Sequence, residues 1–222
     1  MSETNVRSHS PETSYHYAYR LACEALKQAD IKERAFKSGS ILESVGDGTY
    51  LIKLAFLDRL CQISFPEIKI HYQESGEDVP IWSKILILHY LVKSEGYPLT
   101  GKWVNFREMS GGESYYPAFV KRSQKPLLDF FSKRLELLEK TALAFGGHKT
   151  HEGDMAVIIK AFPRVPIMMI FWNGDEEFPP EARILFDSTI PTYLSTEDVA
   201  VLSQQTVFGL IRWAKSNIQT NR

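Results

Sequence analysis

Cysteine is scarce in this chain. Cys23 and Cys61 are the only two, they lie far apart, and neither stands in a C-x-x-C pair. That excludes a zinc ribbon or an all-cysteine iron–sulfur site within the chain, and a reducing cytoplasm is the simplest expected setting. Long hydrophobic runs are also missing. The apolar stretches fall short of the roughly 18 residues a membrane helix needs, and the opening MSETNVRSHSPET has no apolar segment of the signal-peptide kind. A surplus of one charge is missing too. A formal net charge of -1 gives no global field for nucleic acid or anionic lipid. Neither nucleic acid nor membrane is therefore an expected partner. The P-loop, the dinucleotide fingerprint, G-x-S-x-G and H-E-x-x-H are absent, which lowers the standing of the commoner enzyme classes.

What is present reads as an ordered domain. The chain has 222 residues, 44% hydrophobic and 24% charged, enough to bury a core without staples. Residues 1–13 read as a loose polar tail and 14–222 as a single domain. Ala18, Leu21, Ala22, Ala25 and Ala29 fall at helical spacing. Residues 33–50 look turn-rich. TYLIKLAFL, RLCQISF and IKIHYQ alternate as a small antiparallel meander. IWSKILILHYLVKSEG is apolar on most faces, so it reads as a buried helix stopped by Gly96 and Pro98. KWVNFRE alternates like a strand. One long helix is expected to follow, through Phe131, Leu135, Leu138, Ala142 and Phe145, ending at Gly146-Gly147. DMAVIIKAF, VPIMMIFW and RILFD read as further strands. Ser195-Thr196-Glu197-Asp198 is an N-cap signature opening a last helix over about 197–217. Without regular strand–helix alternation, the expected class is α+β, a mixed or antiparallel sheet flanked by about four main helices.

Four groups of residues could carry chemistry. His148 and His151, beside Glu152 and Asp154, have the donor types of a zinc, iron or nickel site, or form an ordinary solvated loop. His89 lies one turn from Ile85 and Val92 on the apolar helix. It is either an axial ligand or proton shuttle, or a core histidine bonded to a backbone carbonyl. Burial should keep it mostly neutral near pH 7 unless a carboxylate compensates. Lys102, Trp103, Phe106 and Arg107 combine cations with stacking faces, as an anion clamp or as a strand with snorkelling cations. Asp175, Glu176 and Glu177 follow a run of apolar residues ending at Trp172. Three adjacent acids repel unless cations answer them. They read either as an ion-paired brace for the Pro179-Pro180 turn or as a carboxylate site for a metal or acid–base work.

A set of segments carries a family resemblance. His89–Leu91, PLTGKWVNFRE, Gly111-Gly112, Gly153-Asp154, PRVP, FWNGDEEFPPEARILFD and YLSTEDVAVL occur in this order. Together they resemble an uncharacterised family, a domain of unknown function found mainly in anaerobic bacteria and archaea. Some members resemble fusions to a [4Fe–4S] module, and this chain departs from that pattern because its N-terminus has no cysteine cluster. The resemblance implies tetrapyrrole or low-potential redox metabolism, with any iron–sulfur or corrinoid centre on a redox partner protein.

The leading expectation is a cofactor-binding or accessory protein of anaerobic metabolism. Its ligand would be flat or anionic, a corrinoid or haem-like tetrapyrrole, in a pocket made by His89, Lys102, Trp103, Phe106, Arg107, Tyr115 and Trp172. The alternatives are a metal-dependent enzyme using the acidic turn or the H-x-x-H loop, and a protein-interaction module. Charge balance places Trp103 and Arg107 beside the 171–178 turn.

Overall fold

The computed structural model describes residues 11–220. Period-two alternation between Thr49 and Phe65 does produce a meander. β1 (Ile41–Gly46), β2 (Thr49–Phe56), β3 (Arg59–Phe65) and β4 (Ile70–Tyr72) pair antiparallel in that order. One face buries Ile52, Leu54, Phe56, Cys61 and Ile63, as successive side chains point to opposite sides. A second antiparallel sheet has the order β5-β9-β8-β7-β6. Its strands are β5 (Trp103–Asn105), β6 (His148–Thr150), β7 (Met155–Phe162), β8 (Val165–Trp172) and β9 (Glu181–Asp187). Every residue of β8 but Trp172 is buried, which explains its unbroken apolar run.

The two sheets meet at a tight turn. Leu57, between β2 and β3, has φ 54, a conformation that bulky residues rarely take. Its N–H donates to the Ala161 carbonyl at 2.9 Å and ties the meander to β7.

Helices complete the fold: α1 (Pro11–Gln28), α2 (Ile31–Ser38), α3 (Ile81–Lys93), α4 (Gly112–Phe119), α5 (Lys125–Phe131), α6 (Leu135–Ala144) and α7 (Thr196–Thr220). They pack with both sheets around one continuous apolar core. At its centre Tyr90 stacks on Phe162 with ring centroids 4.2 Å apart, and its hydroxyl donates to the Ser38 carbonyl. The class is therefore α+β in a single domain. No helix among the described residues is long and apolar enough to cross a membrane.

Three expectations about elements need correction. α1 begins at Pro11, so residues 11–13 are helical; the rest of the expected tail lies outside the described residues. The segment read as turn-rich contains α2 and β1. Asp30 caps α2 by accepting from the amides of Lys32 and Glu33, and Gly39 closes it at φ 72, both ordinary stop-and-start signals. The long helix after Gly112 is broken at residues 132–134. Arg134 leaves helical geometry at φ -147, and its guanidinium caps the Phe130 carbonyl at 2.8 Å. Between α4 and α5 the chain makes a π turn, Val120–Gln124. Pro126 has no N–H for the carbonyl four residues back and its ring would crowd it, which gives the backbone a reason to widen here.

Candidate functional site

The helix α7 presents two faces. Val199, Leu202, Val207, Leu210 and Ala214 turn into the core. Asp198, Val201, Gln205, Phe208 and Arg212 form a second stripe at spacings of three and four, which places them on one side, and all five line a cleft. The facing wall is α3, where Trp82, Ile85, Leu86 and His89 repeat at helical spacing. The helices run antiparallel there. His89 lies opposite Asp198, and the Ser83 hydroxyl donates to Gln205 Oε1 at 2.7 Å. The β2–β3 turn, Tyr72 and the start of α1 close the sides, giving a cleft of about 1310 Å³. That exceeds the ~300–1,000 Å³ usual for drug-sized ligands.

The floor is aromatic and partly exposed. Trp82 is 52% exposed and Phe208 45%, so both have surface available to a ligand rather than being absorbed in the core. One amide nitrogen in the wall, Gln205 Nε2, is buried without a hydrogen-bond partner. At one end stands a dyad. His89 Nδ1 and Asp198 Oδ1 are 2.7 Å apart. The other carboxylate oxygen of Asp198 accepts from the Ser195 hydroxyl at 2.6 Å and the Ser195 amide at 3.3 Å, while the Asp198 amide donates back to Ser195 Oγ at 3.1 Å. The N-cap seen in the sequence is thus also the mount for His89. With Nδ1 held, the ring's Nε2 has no protein partner among the described residues.

The electrostatics follow from this geometry. The hydrogen bond that His89 donates to Asp198 raises the His89 pKa, and burial opposes it more weakly. Burial pushes the Asp198 carboxyl up, but the bonds from His89 and Ser195 outweigh it and leave a net lowering. The expectation of a deeply buried His89 is therefore corrected. Its side chain is 40% exposed and the compensating carboxylate exists.

The other proposed ligand contacts do not join His89, which alone of the seven lines the cleft. Phe106 is fully buried and stacks on Phe119 at 4.2 Å, so it is core. Arg107 lies over the Tyr116 ring at 3.9 Å, with Glu113 at 3.8 Å. Tyr115 is exposed on α4 and Lys102 is exposed in the loop before β5. Trp103 and Trp172 flank the same small apolar patch of Ala156, Met168 and Ile170 on the second sheet. They sit at its two ends, because Trp103 pairs with Asp187 and Trp172 with Glu181. Six residues of strand separate those rows, about 20 Å. The expected contact between Trp103, Arg107 and the 171–178 turn is therefore absent, and Arg183 is the cation over Trp172, at 5.1 Å. What the 98–102 loop does meet is Asp187. This buried carboxylate accepts from the amides of Thr100, Gly101 and Thr189 and from both threonine hydroxyls at 2.7–3.2 Å.

The proposed metal donors are also dispersed. His148 is exposed on β6 and His151 in the bend after it. Glu152 accepts from Thr150 at 2.6 Å and Asp154 from the Asn173 amide at 2.7 Å. In the acidic turn, Asp175 accepts from the amides of Glu177 and Phe178 at 2.9 and 2.7 Å. Those bonds lower its pKa. The brace is thus made with backbone amides rather than with cations, and Glu176 and Glu177 are exposed, with no ion pair among the described residues. No group of three His, Cys, Asp or Glu among the described residues is placed to hold a metal ion. Both cysteines are free, and burial pushes the Cys61 thiol up to about 12.

Sequence reasoning named His89 but missed its partner and its cleft. The available signal was the second stripe on α7, where Val201 and Phe208 lie outside the core-facing set. In the comparisons, a family model described as "Domain of unknown function (DUF3786)" matches residues 30–208. No curated protein and no solved structure matches the chain.

Proposed function

Since the chain belongs to that family of unknown function, which fixes no reaction, we propose from the cleft itself that it is a cofactor-binding protein for a metal-centred tetrapyrrole. The observation that carries this reading is the mounted imidazole. His89 has one ring nitrogen fixed by a carboxylate and the other without a protein partner, on the wall of a large cleft. A metal-ligating histidine has that arrangement, with the outer carboxylate setting the tautomer and raising ligand basicity.

The residues fit such a group. The flat walls offered by Trp82 and Phe208 suit a planar ring system, and the volume suits a ligand larger than a typical metabolite. Among the described lining residues, His89 is the sole imidazole, and no thiol or thioether accompanies it. One protein donor would therefore hold the metal. The tetrapyrrole would supply whatever redox or group-transfer chemistry occurs. The protein's own residues bind and orient: Asp198 holds the ring of His89, Ser195 holds Asp198, and the aromatic floor excludes water.

The test is an absorbance titration of the full chain with iron protoporphyrin and with a cobalt corrinoid, beside His89→Ala. Saturable binding with a spectrum that changes in the variant supports the reading. Absence of binding, or identical spectra for the two proteins, overturns it.

A further inference from the structure

The charges of the cleft distinguish two kinds of tetrapyrrole. Most charged side chains there already have a partner. Arg59 stacks on Tyr72 at 3.4 Å, bonds Ser75 at 2.8 Å and lies 3.5 Å from Glu77. Asp78 is paired with Lys84 at 2.6 Å. Asp198 is held by His89 and Ser195. Of the acids that remain, Asp58 is exposed on the β2–β3 turn beside Arg59. Glu197 lies exposed in the first turn of α7, where the helix dipole favours a negative charge. Two cations are left over. Arg122, from the π turn, and Arg212, from α7, line the cleft, and among the described residues neither has a hydrogen bond, ion pair or ring contact to its guanidinium.

Their placement matters as much as their charge. Arg212 lies on the same stripe as Asp198, fourteen residues on (212 - 198), or about 21 Å along the helix axis. The dyad and this arginine thus mark opposite ends of the groove, with the aromatic floor between them. The π turn packs against α7, bringing Arg122 to the same groove from a different element. Guanidinium groups are planar forks that match carboxylates in pairs of parallel hydrogen bonds. An amide-decorated ring offers them no charge to answer.

We propose that Arg122 and Arg212 receive peripheral carboxylates of the ligand, so that the cleft selects a haem-like, acid-bearing tetrapyrrole over an amide-decorated corrinoid. This rests on the reading of the cleft as a tetrapyrrole site and adds a separate determinant to it. Both arginines are exposed and their guanidinium groups make no hydrogen bond, ion pair or ring contact among the described residues, so their replacement breaks no such bond of the fold.

The experiment compares iron protoporphyrin with its dimethyl ester, which keeps the metal and ring and removes both negative charges. Wild-type protein should bind the free acid roughly tenfold more tightly, the effect of about one charge-assisted hydrogen bond. In the double variant Arg122→Gln, Arg212→Gln the ratio should fall to about one, with the melting temperature and the His89-dependent spectrum kept. A wild-type ratio near one, or a ratio that survives in the double variant, overturns the assignment of the arginines and leaves the tetrapyrrole reading standing. If neither compound binds, the tetrapyrrole reading fails and this inference falls with it.

Discussion

Asp198→Asn is the most informative single perturbation, because it keeps the shape of the dyad and removes its charge. In the wild type the carboxylate holds the His89 pKa above the ordinary histidine value. Asparagine removes the main raising influence and leaves burial, which lowers, against the smaller raising effect of Glu197. The midpoint of His89 should therefore move from above the usual ~6.5 to below it. The signs for stability follow. A raised histidine stabilises the fold fully below its unfolded pKa and loses that contribution as pH rises through the folded value. The cost of Asp198→Asn should therefore be larger at pH 6 than at pH 9. A hydrogen bond to a charged group contributes about 1.5–3 kcal/mol. With the ring 40% exposed, solvent screening reduces the pH-dependent part to about 1 kcal/mol. Proton NMR titration of the His89 ring gives the midpoint, and urea unfolding at both pH values gives the stability difference. An unchanged midpoint, or an equal cost at both pH values, would refute the dyad as the source of the shift.

Asp187→Ala should cost about 3 kcal/mol or more in chemical denaturation, since it leaves several buried donors around Thr100, Gly101 and Thr189 unanswered. Burial pushes that carboxyl up and the donor bonds more than reverse it. Its contribution should be present above the unfolded value near 3.8 and fade as pH falls through the lower folded one, read as an acid-denaturation midpoint. Phe106→Ala should lower stability by about 3–5 kcal/mol, with haem titration of the folded fraction unchanged. Arg107→Ala should change both stability and haem affinity little, below about 1 kcal/mol in melting experiments, because it removes one exposed stacking contact and a long ion pair.

The readable parts of this protein are those with a local pattern. The meander and α7 announce themselves because one face of each meets the core and burial repeats at two or 3.6 residues, whereas α3, β7 and β8 announce themselves by nearly continuous apolar runs. The acidic turn after Trp172 was legible as a turn but not in its bonding. Asp175 answers two amides within three residues, a solution that needs no arginine. His89 stood out as a polar residue on an apolar helix. Its partner did not, because Asp198 has a sufficient local explanation as a helix cap, and no periodicity links two residues 109 positions apart. The proposed pocket failed for the same reason. Aromatic and basic residues near Trp103 share a stretch of sequence, but the strand β5, the short turn after it and α4 send them to different surfaces. Arg122 and Arg212 were invisible as a pair for the opposite reason, being brought to one groove from distant elements.

The cleft draws its walls from nearly the whole length of the chain, from Tyr15 in α1 to Ser216 in α7. Contacts of such separation require large loops to close, and they form late compared with helices and hairpins. During synthesis, the histidine on α3 would emerge long before the residue that orients it, and for that interval it would be an unmounted imidazole on a partly folded chain. The site comes into being only when the last helix docks. On the tetrapyrrole reading, cofactor loading therefore follows the docking of α7, and a truncation that removes α7 would leave a chain that still contains His89 yet has no site to load.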